Sequence, residues 1–235
     1  PGITCSAFVT NIKNISNNPS NSDYARITSD LSGVTHIVWQ DLTPGNRDIE
    51  YVSKSITGGV WPTPTNISYD SGNSAYPRVT HDNLGNLHAV WEDNTSGAYK
   101  IYYSKKPQSG SWTTPSSIFA STSSAAFPSI CSDDSNNIHV FWSEWLNSPV
   151  GRNEIYYSWK SPSGSWSAPV NLSNSLSSSY VARCVFDSQN GLHVVWENNS
   201  PGTYEIYYAT KPDGGSWTAP VNISNNAGDS QWPSV

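Results

Sequence analysis

Four times the chain places a histidine three residues before a tryptophan, in "GVTHIVWQD", "NLGNLHAVWED", "NNIHVFWSE" and "NGLHVVWEN". The pairs are His36–Trp39, His88–Trp91, His139–Trp142 and His193–Trp196. A second anchor falls at Arg26, Arg78, Ser129, Arg183 and Ser234, with spacings of 52, 51, 54 and 51 residues. Between anchors the offsets hold. Asp30, Asp82, Asp133 and Asp187 stand four residues after the anchor, and the histidine follows six residues later. Ile49, Ile101, Ile155 and Ile206 open the next apolar run, and Trp61, Trp112, Trp166 and Trp217 close the unit before a proline. Self-similarity at a fixed period decides the architecture before any single motif can.

Each unit contains four short runs rich in β-branched and aromatic residues. In the second they are "YPRVTH", "LHAVWE", "KIYYSK" and "SWTTPSSI". The intervening "DNLGN", "DNTSGAY" and "KPQSG" carry the Gly, Asn, Asp and Pro that turns require. No window has the 3.6-residue apolar period of a capped helix. Four antiparallel strands per unit of about 51 residues predict an all-β fold, a β-propeller of four-stranded antiparallel blades. The repeats run over about 23–73, 74–125, 126–178 and 179–229 within a single domain. The "NIS" ending "FVTNIKNIS" (Phe8–Ser16) lies 10 residues before Arg26, as Ser68 lies 10 before Arg78, so it reads as a fourth strand. "QWPSV" reads as a first strand. Residues 1–22 and 230–235 therefore form a partial closing blade, and the ring has four or five blades.

In strand two, His88 and Val90 point to one face and Ala89 and Trp91 to the other. A catalytic histidine is needed once, whereas four at one register are scaffold. Each is expected to bond a nearby turn carbonyl or the aspartate of its own unit.

Composition narrows the function. A net charge of −6, with Lys105–Lys106 as the longest basic run, excludes a phosphate-neutralising surface. No apolar stretch approaches the roughly 18 residues of a membrane span. The chain starts at Pro1 and contains no Met, which reads as a mature, trimmed or partial product. Cys5, Cys131 and Cys184 lack metal-type spacing. They are expected as buried thiols, with one disulfide plus a free thiol as the alternative. Asn-x-Ser/Thr sequons at Asn14, Asn66, Asn94, Asn171, Asn198 and Asn222, on a Ser/Thr/Asn-rich surface of low charge, suggest an extracellular or cell-surface setting.

The segments "SITGGVW" (55–61), "KPQSGSW" (106–112), "SPSGSW" (161–166) and "KPDGGSW" (211–217) precede the fourth strand of each unit. They resemble the Asp box, Ser/Thr-x-Asp-x-Gly-x-x-Trp, of the BNR family of sialidase-like propellers, although Asp213 alone supplies the aspartate. The resemblance implies a propeller. For an enzyme it would imply an arginine triad, a Tyr/Glu nucleophile pair and an acid/base aspartate.

Arg26, Arg78 and Arg183 share one register of the innermost strand, and their guanidiniums suit a carboxylate. Their repeated position argues for scaffold. The family's "Arg-Ile-Pro" type motif is absent, since "IT" and "VT" follow Arg26 and Arg78. The clearest departure lies in the third unit, where Trp142 to Ile155 spans 13 residues against 10 elsewhere. The extra residues fall in "SEWLNSPVGRNE", which presents Glu144, Trp145, Arg152 and Asn153 as candidates to stack on and bond a sugar. Asp41, Glu92, Asp93, Glu144 and Glu197 are acidic, but their spacing fits no calcium loop. The expectation is a non-catalytic binding or adhesion module with a glycan or surface protein as partner and no cofactor or metal. Self-assembly through the unfinished blade is the alternative, and a sialidase-like hydrolase the third reading.

Overall fold

The computed structural model describes residues 12–43, 45–147, 151–200 and 202–235. Phe8–Asn11 and Cys5 lie outside them. Among these residues sixteen strands form four separate antiparallel sheets, each in the order of the chain. The first blade is β1 (Ser22–Ser29), β2 (Val34–Asp41), β3 (Asp48–Ser55) and β4 (Thr65–Asn66). The second is β5 (Ser74–His81), β6 (Leu87–Asp93), β7 (Lys100–Lys106) and β8 (Ser116–Ser117). The third is β9 (Ala125–Ser132), β10 (Ile138–Leu146), β11 (Arg152–Lys160) and β12 (Val170–Asn171). The fourth is β13 (Ser179–Phe186), β14 (Leu192–Asn198), β15 (Glu205–Lys211) and β16 (Val221–Asn222). The protein is an all-β propeller. The first strands pack on one another in series, β1 on β5, β5 on β9 and β9 on β13, so they line the axis.

The apolar core lies between blades. Val38, Ile49, Tyr51 and Ile67 of the first blade meet Leu87, Ala89 and Trp91 of the second. Val90, Ile101, Tyr103 and Ile118 then meet Ile130, Val140 and Trp142. Phe141, Ile155, Tyr157 and Leu172 in turn meet Leu192, Val194 and Trp196. Val90 and Trp91 thus serve opposite neighbours, which is why every residue of β6 is buried. Each seam ends in an edge-to-face aromatic pair that joins a strand-three tyrosine to the tryptophan of the next blade. The pairs are Tyr51–Trp112 at 5.1 Å, Tyr103–Trp166 at 5.2 Å and Tyr157–Trp217 at 5.2 Å between centroids.

Contrary to the expectation of buried thiols, Cys131 and Cys184 form a disulfide between β9 and β13. Strand-one spacing already put them at neighbouring places on the axis, with Cα atoms 6.2 Å apart, within ordinary bridging range.

The histidines bond within their own blade. In the second blade His88 Nε2 lies 3.1 Å from Asp82 Oδ2 and Nδ1 lies 2.8 Å from the Tyr103 hydroxyl. The same chain recurs as Asp30–His36–Tyr51, Asp133–His139–Tyr157 and Asp187–His193–Tyr208. Of the two expected partners the aspartate is the one found, and the tyrosine was not foreseen. Burial lowers the pKa of His36 and His88 despite their aspartates, so these imidazoles are neutral. Nε2–H then donates to the carboxylate and Nδ1 accepts from the tyrosine. The aspartate's other oxygen accepts N–H groups of the turn, as Asp82 Oδ1 does from Leu84 and Asn86 at 3.0 and 2.8 Å. Burial raises the Asp82 pKa, but the bonds from His88 and Asn86 outweigh it and leave it at about 2.

A second repeated contact joins the end of one repeat to the next blade. Asn18 donates to Asp41 and Ser121 to Glu144, whereas in the fourth blade Asn198 Nδ2 donates to Ser175 Oγ. In the second blade the pair is Asp70 and Asp93, both beside the Ser74 hydroxyl. Burial and then the Asp93 charge push Asp70 up to about 6, while Asp93 moves down because hydrogen bonds from Asp70, Ser74 and Thr95 outweigh its burial. Asp70 is therefore the member of the pair that takes up a proton first as the pH falls.

Two outcomes follow. His88→Ala strands a buried carboxylate and a buried hydroxyl and should cost about 2–3 kcal/mol in urea unfolding. His193→Ala should cost less than half of that, because its side chain is 27% exposed against 3% for His88; the reverse order would contradict the scaffold role. At the seam between the first and second blades, Asp70 holds a proton in the folded state that the unfolded chain releases near 3.8. Its stabilisation is complete below about pH 4 and is lost as pH rises to about 6. Asp70→Asn carries a permanent donor, so its melting temperature should fall less between pH 4 and 7 than that of the parent chain. Equal slopes would place the proton elsewhere.

Candidate functional site

The most unusual backbone lies at the axial mouth. Each first strand starts with a bulge, where its register against strand two shifts. A non-glycine residue there takes positive φ: Tyr24 at 53°, Tyr76 at 52°, Phe127 at 54° and Val181 at 56°. Side chains of this bulk rarely adopt that region, and such strain persists only where the surroundings enforce it. At two of the four, strand two of the preceding blade holds the strained N–H. Tyr76 N–H donates to Gln40 Oε1 at 3.0 Å and Phe127 N–H to Glu92 Oε2 at 3.0 Å. Glu92 is driven up to about 7 by burial, against the Phe127 bond and Arg47.

The bulge turns aromatic rings toward one another. Tyr24 and Tyr76 pack edge to face at 4.6 Å, and Tyr76 and Phe127 at 5.0 Å. Tyr24 remains 43% exposed. Two residues further along the same strands stand Arg26, Arg78 and Arg183, each half-buried and each with a guanidinium nitrogen on the carbonyl of the residue before it. None of the three has a carboxylate partner among the described residues. Arg183 is pushed down to about 10, first by burial and then by the charge of Arg26, with Glu197 opposing. Arg26 is lowered by burial, with the nearby Tyr24 opposing. The Arg78 Nε is buried without a protein partner. The arrangement is a row of desolvated cations beneath an aromatic rim, suited to an anionic ligand with a ring to stack.

The extended hairpin of the third blade is a separate place. β10 and β11 each reach nine residues, and Trp145 pairs with Asn153 and Leu146 with Arg152. Ser148–Val150 lie outside the described residues. The Trp145 ring is 43% exposed, and a Cβ at Gly151 (φ +47°) would come within 2.6 Å of it, so glycine is required there. Arg152 Nε donates to Glu154 Oε1 at 2.8 Å. Asn153 N–H donates to the Ser178 hydroxyl at 3.3 Å. Glu144 is buried, and its oxygens accept from Ser121 Oγ at 2.5 Å and Trp142 Nε1 at 2.8 Å. Its carboxylate is committed to the blade, so the hairpin offers Trp145, Arg152 and Asn153 to solvent more than Glu144.

The remaining acidic residues after strand two are likewise engaged. Asp41 accepts from Ser22 and Trp39, Asp93 from Ser74, and Glu197 from the Trp232 N–H at 2.6 Å. The aromatic rim was missed in the sequence. Its signal was present, an aromatic residue two before the arginine in "DYARIT" and "AYPRVT".

No protein-family model matches the chain, and no curated protein matches it. Solved structures do, as folds. A protein of unknown function from Dyadobacter fermentans superposes with a TM-score of 0.68 at 12% identity, covering 89% of this chain and 70% of that one. The BP39L lectin from Burkholderia pseudomallei gives 0.63 at 17% identity, over 85% of this chain and 54% of the lectin. The catalytic domain of a GH62 α-L-arabinofuranosidase from Coprinopsis cinerea gives 0.53 at 16% identity, over 87% and 69%. At such identities the likeness is one of fold.

Proposed function

We propose that this chain is a non-catalytic glycan-binding propeller whose axial mouth takes an acidic sugar, free or on a surface protein. The observation that carries this reading is the row of three guanidiniums, unpaired with any described carboxylate, beneath the Tyr24–Tyr76–Phe127 rim. In a chain of net charge −6, cations left unpaired in a half-buried row are costly unless something anionic completes them. A sugar carboxylate would accept from the arginines while its ring stacks on the exposed tyrosine. The likeness to a lectin fold is consistent with this reading. So are the carboxylates next to the rim: Glu92 and Glu197 are tied to backbone amides, an arrangement that fits holding a ligand better than cleaving a bond.

Trp145 supplies a second, edge contact for a longer glycan. The turns before each fourth strand fit a degenerate Asp-box kinship. A glycine N–H bonds the carbonyl three residues back in each, as Gly110 does to Pro107, and the following tryptophan packs on the preceding blade except at Trp61. The Cys131–Cys184 disulfide adds to the case for an oxidising, extracellular or cell-surface setting.

Titration with uronate-containing oligosaccharides, after a glycan array, tests the proposal. Acidic glycans should bind and neutral ones should not, with affinity falling as salt is added. Arg183→Ala and Tyr24→Ala should each weaken binding at least tenfold, about 1.4 kcal/mol. Saturating ligand at about 100 times Kd should stabilise the fold by about 2.7 kcal/mol. Binding of neutral sugars that survives Arg183→Ala but not Trp145→Ala would move the site to the hairpin. Release of new reducing ends would make the protein a hydrolase.

A further inference from the structure

The two outer faces of the propeller are the two halves of an interface that the molecule builds three times inside itself. Tyr208 occupies the register of Tyr51, Tyr103 and Tyr157, yet among the described residues no tryptophan packs on it. Trp61 occupies the register of Trp112, Trp166 and Trp217, and has the Lys54 amine 5.5 Å from its ring centre instead of a tyrosine. Ile223 is 55% exposed where Ile67, Ile118 and Leu172 are 0, 7 and 7%. Ile27 is 67% exposed where Ile130 is 8%.

Between these faces, the first and fourth strand positions of one more blade are already held. Trp232 has φ +58°, matching Tyr24, Tyr76 and Phe127, and its N–H is on Glu197 as those of Tyr76 and Phe127 are on strand two of the preceding blade. Ser230 N–H bonds the Tyr204 carbonyl at 2.6 Å, as Ser74 N–H bonds Arg47 at 2.7 Å and Ala125 N–H bonds Tyr99 at 2.9 Å. At the other side, Asn14 Oδ1 accepts from Ser16 Oγ at 2.9 Å and Asn17 N–H at 3.2 Å. Asn66 does the same for Ser68 and Tyr69 at 3.0 and 3.1 Å. In three of the four complete blades this serine accepts the N–H of the strand-three isoleucine: Ile49 at 3.1 Å, Ile155 at 2.9 Å and Ile206 at 2.9 Å. Ser16 has no such strand beside it among the described residues. A groove of about 390 Å³ runs there, lined by Lys13–Asn17 and Val60–Pro64. Ile15 and Trp61 flank it, at the two registers whose residues share a core cluster with a strand-three tyrosine in every inner seam.

We propose that this gap binds a β-hairpin with the repeat's own middle-strand chemistry, a His-x-x-Trp strand followed by an Ile-Tyr-Tyr strand. Its first strand would pair with residues 231–235 and its second with residues 14–16. The hairpin's tyrosine would stand on Trp61, and its strand-two tryptophan face would cover Ile223 and Tyr208. Addition of strands to waiting edges gives affinity through backbone bonds, and the side-chain pockets give specificity. A whole second copy is a poorer occupant, because each of its hairpins is already built into a blade.

The probe is a labelled peptide of residues 190–211, titrated into the folded chain. One-to-one saturable binding is expected, with a rise in melting temperature. Ile223→Glu or Trp61→Ala in the chain, or Tyr208→Ala in the peptide, should weaken it at least tenfold; circular dichroism verifies that each chain variant is folded. No binding, or equal binding of a scrambled peptide, overturns the proposal. Concentration-dependent dimers that Ile223→Glu abolishes and the peptide fails to displace would make a second copy the occupant and overturn it equally.

Discussion

A blade of this protein cannot bury its own apolar surface. Strand two is apolar on both faces, so Trp91 and Val90 must each find a different neighbour, and stability resides between sheets. Everything else follows from that constraint. The aromatic pair at each seam, the carboxylate or amide that reaches a strained N–H in the next blade, and the disulfide between β9 and β13 are all devices that fix one sheet against the next. The Asp–His–Tyr chains do the complementary task inside each blade. They tie the first turn to strands two and three at the positions that the neighbour then covers, so the surfaces presented to the seam are rigid.

The electrostatics divide in the same way. An acidic chain keeps most of its carboxylates as acceptors at seams and turns, where they satisfy backbone N–H groups and hydroxyls. Burial raises those with the fewest donors, such as Glu92, and bonds lower those with the most, such as Asp82. The arginines of the axis received no such partners. The charge of Arg26 instead adds to burial in lowering the Arg183 pKa. A scaffold position repeated for packing reasons has thereby concentrated like charge at the one place where all the blades converge.

Periodicity made the strands, the blade boundaries and the scaffold role of His88 legible, because repeated burial leaves a repeated residue. It also located the hairpin extension, since insertion changes a spacing. Other features left weaker traces. The tyrosine partner of the histidines lies 15 residues away, or 18 in the third blade, on a neighbouring strand and is set by register, not by local pattern. Glu144 looked available because charge suggests exposure, yet its oxygens are consumed by Trp142 and Ser121. Cys131 and Cys184 are 53 residues apart, one repeat, so their meeting follows only after the blades are stacked. The positive φ at Tyr76 has no residue-level signature, for glycine is the usual occupant and an aromatic side chain argues against it.

Hydrogen exchange read by mass spectrometry tests most directly whether stability lies between the blades. Strands covered on both faces, Leu87–Asp93 and Ile138–Leu146, should exchange slowest and open only with global unfolding. Leu192–Asn198, paired along its length on both sides as Leu87–Asp93 is but facing no further blade among the described residues, should exchange at least tenfold faster. Equal protection of all three segments would show that each sheet is stable by itself, and the central claim would fall.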